Sequence, residues 1–364
     1  MSDLLIGLLG ALLSTNQVTA ASNLVAQSTG VHLAVVDPND PVEVEYKRIM
    51  EEDDDAQTEV DKWIRENNAF AEKGASIPAT TLNARIEQRF DSVVKRYEEF
   101  ILHHPDHARI RLAYGSFLND TGKDYEAVVQ WEKARELNPS DPAAWNNLAD
   151  YYSHRGPVAK AFEYLAKAIE LNPKEPVYYH NLAIIVFLFR KDSQEIYHLA
   201  DERQVFLRAL ELYHKARELD PENFSLATDL AQTYYYLKPQ PLSDPKAAAE
   251  AREKLHQEAM NAWLEAQKIA KTDVQRQGVS IHFARLCIGE GKFDEARKYL
   301  AEVKDPELET LRARVLRNVE RKEKGAQEDP DEPAAPKSSA TAVPKTSRGV
   351  EPKSDKVADP KPQP

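Results

Sequence analysis

Cysteine is almost missing from this chain of 364 residues: the single one, Cys287, excludes a disulfide framework and any cysteine-rich zinc module. Glycine is scarce too, at 12 residues, which argues against a sandwich or barrel with a tight turn between successive strands. No apolar run reaches the roughly 18 to 20 residues that span a bilayer, so no integral membrane segment is expected. Positive charge is in deficit. With 48 Lys and Arg against 60 Asp and Glu the formal net charge is -12, and such a surface is a poor competitor for counterions on a phosphate backbone. Nucleic acid is therefore not an expected partner. The signatures of catalysis are missing as well: there is no Gly-rich phosphate loop, no Gly-x-Ser-x-Gly, no His-Glu-x-x-His and no Cys-x-x-Cys. These absences predict neither a cofactor nor an enzyme.

What the chain does have is a period. Apolar residues make up 42% and charged residues 30%, enough for two or three compact domains or one elongated one. Gly122 and Gly156, Ala127 and Ala161, Ala134 and Ala168, and Asn147 and Asn181 each stand 34 residues apart, as do Pro105, Pro139 and Pro173 in series. Trp145-x2-Leu148-Ala149-x2-Tyr152 is followed by Ala161, Leu165, Ala168 and Pro173; Tyr114-Gly115, Leu118, Ala127, Trp131, Ala134 and Pro139 repeat the arrangement one period earlier. Small residues at Gly115, Ala127, Ala149 and Ala161 let two helices approach closely, and large ones at Trp131, Trp145, Tyr152 and Leu165 fill the space between neighbours. The proline after each second helix stops it, because it has no N–H with which to continue.

With so many slots agreeing at one spacing, the chain resembles the tetratricopeptide-repeat (TPR) family. The resemblance implies an all-α fold, a right-handed α-solenoid of helical hairpins in which no hairpin buries its apolar face alone. The repeats are expected at 108–141, 142–175, 176–223, 224–272 and 277–304, after divergent helices at 42–107 and before a capping helix at 305–324. Two repeats are longer than the period. Pro173 to Pro221 is 48 residues, 14 over, and Ala209 to Ala259 is 50, 16 over. The extra residues, 190–204 and 238–251, fall between the two helices of a repeat and predict second helices lengthened at their N-termini.

The two ends differ from the middle. Residues 1–41 hold an unbroken apolar run, Leu4 to Leu13, whose expected form is a short packed helix. The alternative is an export signal cut near Val18-Thr19-Ala20, although Asp3 stands where such a signal carries a positive charge. A cytoplasmic location is expected on the first reading and an exported, envelope-associated assembly factor on the second. Val31–Val36 could form a short strand or extended arm, and Asp40-Pro41 opens the next helix. Residues 325–364 hold eight of the 22 prolines and no Leu, Ile, Phe, Trp or Tyr, so a disordered C-terminal tail is expected.

The resemblance also locates a candidate site, because the concave surface of such a stack is built from first helices. It collects Asn146, Asn147 and Asp150; His180, Asn181, Ile184, Phe187 and Leu188; and Thr228, Asp229, Gln232, Tyr235 and Tyr236. Asn147 and Asn181 resemble the start of an asparagine ladder that would hold a peptide backbone, since an amide both donates and accepts. Asp229 stands where a third rung would be. The expected role is thus a non-catalytic scaffold for a protein or peptide partner. The subtype that clamps chaperone C-termini is excluded, because Leu112 and Ser116 occupy the slots where it needs Lys and Asn. His103-His104-Pro105-Asp106-His107 is the densest His/Asp cluster and the basis of a distant third reading, a metal-dependent hydrolase; Pro105 and Asp106 also suit a plain turn, and no metal is expected there. The acidic run Glu51–Asp55 is expected to be a solvated helix face.

Overall fold

The computed structural model describes residues 39–325, apart from 72, 240 and 241. The expectations for Leu4–Leu13, the export signal, Val31–Val36 and the tail beyond Gly325 lie outside the described residues. Fourteen α-helices follow one another: α1 (Pro41–Ala71), α2 (Ala79–His103), α3 (Ala108–Asp120), α4 (Asp124–Leu137), α5 (Pro142–Arg155), α6 (Val158–Leu171), α7 (Pro176–Leu188), α8 (Arg190–Tyr197), α9 (Glu202–Leu219), α10 (Phe224–Thr233), α11 (Pro245–Ile269), α12 (Asp273–Gly289), α13 (Phe293–Glu302) and α14 (Glu309–Glu323). Short 3₁₀ turns occupy Tyr234–Tyr236 and Pro306–Leu308, and the described residues contain no strand. Each first helix packs on its own second helix and on the next hairpin, giving an α-solenoid: α3 with α4, α5 with α6, α7 with α9, α10 with α11, α12 with α13, closed by α14.

The repeated punctuation explains the repeated hairpin. Four of the described α-helices open with an acid followed by proline: Asp40-Pro41, Asp141-Pro142, Glu175-Pro176 and Asp244-Pro245. The carboxylate accepts a backbone N–H that the helix cannot satisfy itself, as from Ala143 at 3.0 Å and Ala247 at 3.0 Å, while the proline sits where its missing N–H costs nothing. Between α3 and α4 the chain reverses at Gly122, whose φ of 81° lies in the left-handed region, and the Lys123 amide then closes on the Leu118 carbonyl at 2.8 Å.

Close packing leaves no slack at Gly115. A methyl group on Gly115 would lie 2.5 Å from Cδ1 and Nε1 of Trp131, whose indole N–H donates to the Leu112 carbonyl at 3.2 Å. The indole therefore lies flat against the α3 backbone and shares its hydrogen bonding. Gly115→Ala is expected to push Trp131 off this seat and to destabilise the protein by about 1–3 kcal/mol, read as a lower urea midpoint. An unchanged midpoint would mean that the two helices separate without penalty.

The first insertion does not do what its length suggested. It forms a separate helix, α8, instead of lengthening α9 alone. His198, at φ 53°, ends α8 in a left-handed turn, and Asp201 caps a new helix by accepting the Gln204 N–H at 2.8 Å. α8 lies on the hairpin: Tyr197 meets Phe162 edge-on at 5.9 Å, and the buried Ser193 hydroxyl donates to the Val186 carbonyl at 3.1 Å. The second insertion enters α11, which reaches 25 residues.

Candidate peptide-binding face

Three of the candidate residues meet in a line of side-chain amides. The Asn181 amide on α7 donates to Asn146 Oδ1 on α5 at 2.9 Å. Asn146 in turn donates to Asn147 Oδ1 at 3.4 Å, and Asn147 Nδ2 to Ser116 Oγ on α3 at 3.3 Å. The line thus crosses three consecutive first helices. All four side chains are half-buried, and each amide keeps donor or acceptor capacity beyond these bonds. Asp150 stands exposed one turn further along α5, with His154 Nδ1 at 3.7 Å from its carboxylate. Gln232 is half-buried on α10, as is Thr228, whose hydroxyl donates to the Ser225 carbonyl.

The other expected groove residues are engaged elsewhere. His180 and Asp229, only 6% and 3% exposed, face each other: His180 Nε2 lies 2.8 Å from Asp229 Oδ2. They tie α7 to α10 inside the stack, with the Tyr213 ring against the imidazole at 5.8 Å. Asp229 is thus not a third rung. Ile184 is a core residue, and Phe187 is packed between Phe206 and Tyr236, at 5.5 and 4.8 Å between ring centres. Leu188 remains exposed. Tyr235 and Tyr236 do not lie on the first helix at all. The α-helix ends at Thr233, both tyrosines sit in the 3₁₀ turn Tyr234–Tyr236, and Leu237 beyond it is extended. The Tyr235 hydroxyl turns inward to His282, 3.1 Å from Nδ1 and 3.3 Å from its carbonyl oxygen.

The other chemical candidates are structural as well. His107 accepts the Ile110 N–H at 3.1 Å as the cap of α3 and packs on Phe100, and burial holds its pKa below the ordinary value. Nη1 of Arg109 donates to both carboxylate oxygens of Glu43, at 2.9 and 3.1 Å. In the acidic run, Asp53 turns inward and accepts the Tyr97 hydroxyl at 2.5 Å; burial raises its carboxyl. Among the described residues no three His, Cys, Asp or Glu side chains gather around a space for one ion.

A sequence model of the tetratricopeptide repeat matches residues 126–176, the stretch from α4 to the start of α7. The chain carries the tetratricopeptide repeat. Its solenoid is similar to solved structures of the MamA protein (18% identity, over 51% of this chain and 86% of that one, TM-score 0.36) and of YrrB, described as a TPR protein with an unusual peptide-binding site (14%, 57% and 90%, TM-score 0.40). It is also similar to Pseudomonas aeruginosa pilF (14%, 74% and 99%, TM-score 0.46). No curated protein matches the chain.

The TPR register did not point to a cavity of about 360 Å³ between α9, α10 and α11. His214, Arg217, Leu230, Tyr234, Glu258 and Asn261 are among the residues that line it, and Nη1 of Arg217 is buried there without a hydrogen-bond partner. Burial and the neighbouring Arg217 lower the His214 pKa. α11 supplies one wall through Glu258, Asn261, Ala262 and Glu265, in the ordinary second-helix part of the repeat and not in the insertion.

Proposed function

We propose that this TPR protein is a non-catalytic scaffold that holds an extended segment of a partner protein along the first helices α3, α5 and α7. The observation that supports the reading is the amide line Ser116–Asn147–Asn146–Asn181. An extended peptide presents an N–H and a C=O at every residue, and a row of carboxamides can match both whatever the peptide's side chains. The line runs over about 10 Å from one first helix to the next, the spacing of packed helices, so a bound strand would meet polar groups several times along its length. The exposed Asp150 beside it favours a segment with a basic residue.

The test is capture of partners from a lysate, identification of the bound segment, and titration of that segment against variants. Asn147→Ala with Asn181→Ala is expected to weaken binding about tenfold or more, because each buried peptide group that loses its partner costs about 1–3 kcal/mol. Normal binding by this double variant, with binding lost when Arg190–Gln204 is deleted from a still-folded protein, would place the site on α8 instead.

A further inference from the structure

The hairpin α1–α2 is longer than anything it packs against. The main hydrophobic core takes Ile49 and Ala56 from α1 and Val93, Tyr97 and Phe100 from α2, and Phe90 meets Phe117 of α3 at 5.4 Å. Beyond Ala56 and Phe90 the described residues of the hairpin belong to no core cluster. Residues 57–71 alone carry α1 about 22 Å further, so the hairpin's tip is an arm one helix pair thick. Among its described residues only Val60 and Leu82 are buried. Trp63, Ile64 and Ile86 are half-open along the same seam, and Phe70 and Ile77 at the tip are 52% and 42% exposed. Two helices cannot cover an apolar seam from both sides; a second layer is needed.

We infer that the second layer is another copy of this chain, two arms stacking into a four-helix bundle. Charge selects the occupant. The whole chain carries -12, yet residues 57–90 hold five Lys and Arg against five Asp and Glu, a balance of zero. Several of these charges are satisfied within the arm: Arg89 binds Glu59 at 3.0 Å, Lys62 faces Glu66 at 3.9 Å, and the Arg85 guanidinium covers the Trp63 ring at 3.7 Å. The arm is therefore a surface on which this acidic protein does not repel itself, and it carries no net field to draw a strongly charged partner. Hairpins pair in this way in four-helix bundles. The area sets the strength. A face about 22 Å long and two helices wide, about 20 Å, is at the small end of protein interfaces, so the dimer is a reversible one that forms with rising concentration.

Sedimentation velocity of the full chain over a wide concentration range tests this. A monomer–dimer equilibrium is expected. Phe70→Glu with Ile77→Glu should weaken the dimer by about tenfold or more, with helix content and melting temperature unchanged. Lys62→Glu with Arg65→Glu, both on the exposed face, should do the same by making the arm acidic while leaving its apolar residues in place. A chain that stays monomeric throughout, or a dimer that neither pair of substitutions weakens, overturns the inference. So does a full chain that is monomeric while a chain starting at residue 39 dimerises, since the arm would then be covered by the chain's own N-terminal residues.

Discussion

Trp263→Ala is expected to split the unfolding of this protein into two transitions. Trp263 is 1% exposed and stands at the centre of a small cluster of its own, with Ala227 and Ala231 of α10 on one side and Val279 and Phe283 of α12 on the other. That cluster joins the large core, which runs from α1 to Leu237, to the C-terminal core of α12–α14. In a solenoid each repeat is held only by its neighbours, so a cavity at one junction both removes stability and uncouples what lies on either side. Removing a fully buried tryptophan costs about 3–5 kcal/mol, of the order of a whole repeat junction. The remaining tryptophans, Trp63, Trp131 and Trp145, all lie in the N-terminal half. Fluorescence of the variant therefore follows that half, while circular dichroism follows every helix. In urea the dichroism should begin to fall at a concentration where the fluorescence is still native. Coincident curves from the two probes, at an unchanged midpoint, would show that the junction does not depend on Trp263.

The same nearest-neighbour logic explains what could be read in advance. The helices from α3 to α7 were legible because the hairpins are locally specified: an acid and a proline open the first helices α5 and α7, small residues mark the contacts, and a large aromatic stands on the facing helix, as Gly115 and Trp131 show. Asn146, Asn147 and Asn181 could be placed on one face because no insertion separates them. Past α7 local signals no longer suffice. His180 and Asp229 pair across 49 residues of sequence that include the whole first insertion, and which face of α10 turns inward depends on how it packs on α9. The break that makes α8 a separate helix is carried by a histidine in a left-handed turn, a conformation usually marked by glycine or asparagine. Tyr235 and Tyr236 followed the helical pattern of the repeat in sequence, but the chain tightens into a 3₁₀ turn at Tyr234 and is extended at Leu237, which no residue of the pattern signals.

Acid should loosen the structure first around His282. Its ring is stacked on Trp263, 3.8 Å between ring centres and 13° from parallel, with the Tyr235 hydroxyl at its Nδ1. Burial, with Arg285 adding to it, lowers the pKa from 6.5 to about 3. The sign follows from the two end states. Above the unfolded value of 6.5 the imidazole is neutral in both, and it contributes no pH dependence. As pH falls below 6.5 the unfolded chain takes up a proton that the folded protein refuses until about 3, so stability is lost across that window. At ~1.4 kcal/mol per unit the loss approaches about 4 kcal/mol near the lower end. His107 and His214, also lowered by burial, act in the same direction. His282→Phe keeps a flat ring on Trp263 and leaves the backbone carbonyl of residue 282, at 3.3 Å, as an acceptor for Tyr235. Urea titrations at a series of pH values should therefore find the variant close to wild type near neutrality and progressively more stable than wild type between pH ~6 and ~4. If the two proteins lose stability in parallel through that range, His282 carries a proton in the folded state and the stack with Trp263 accommodates it.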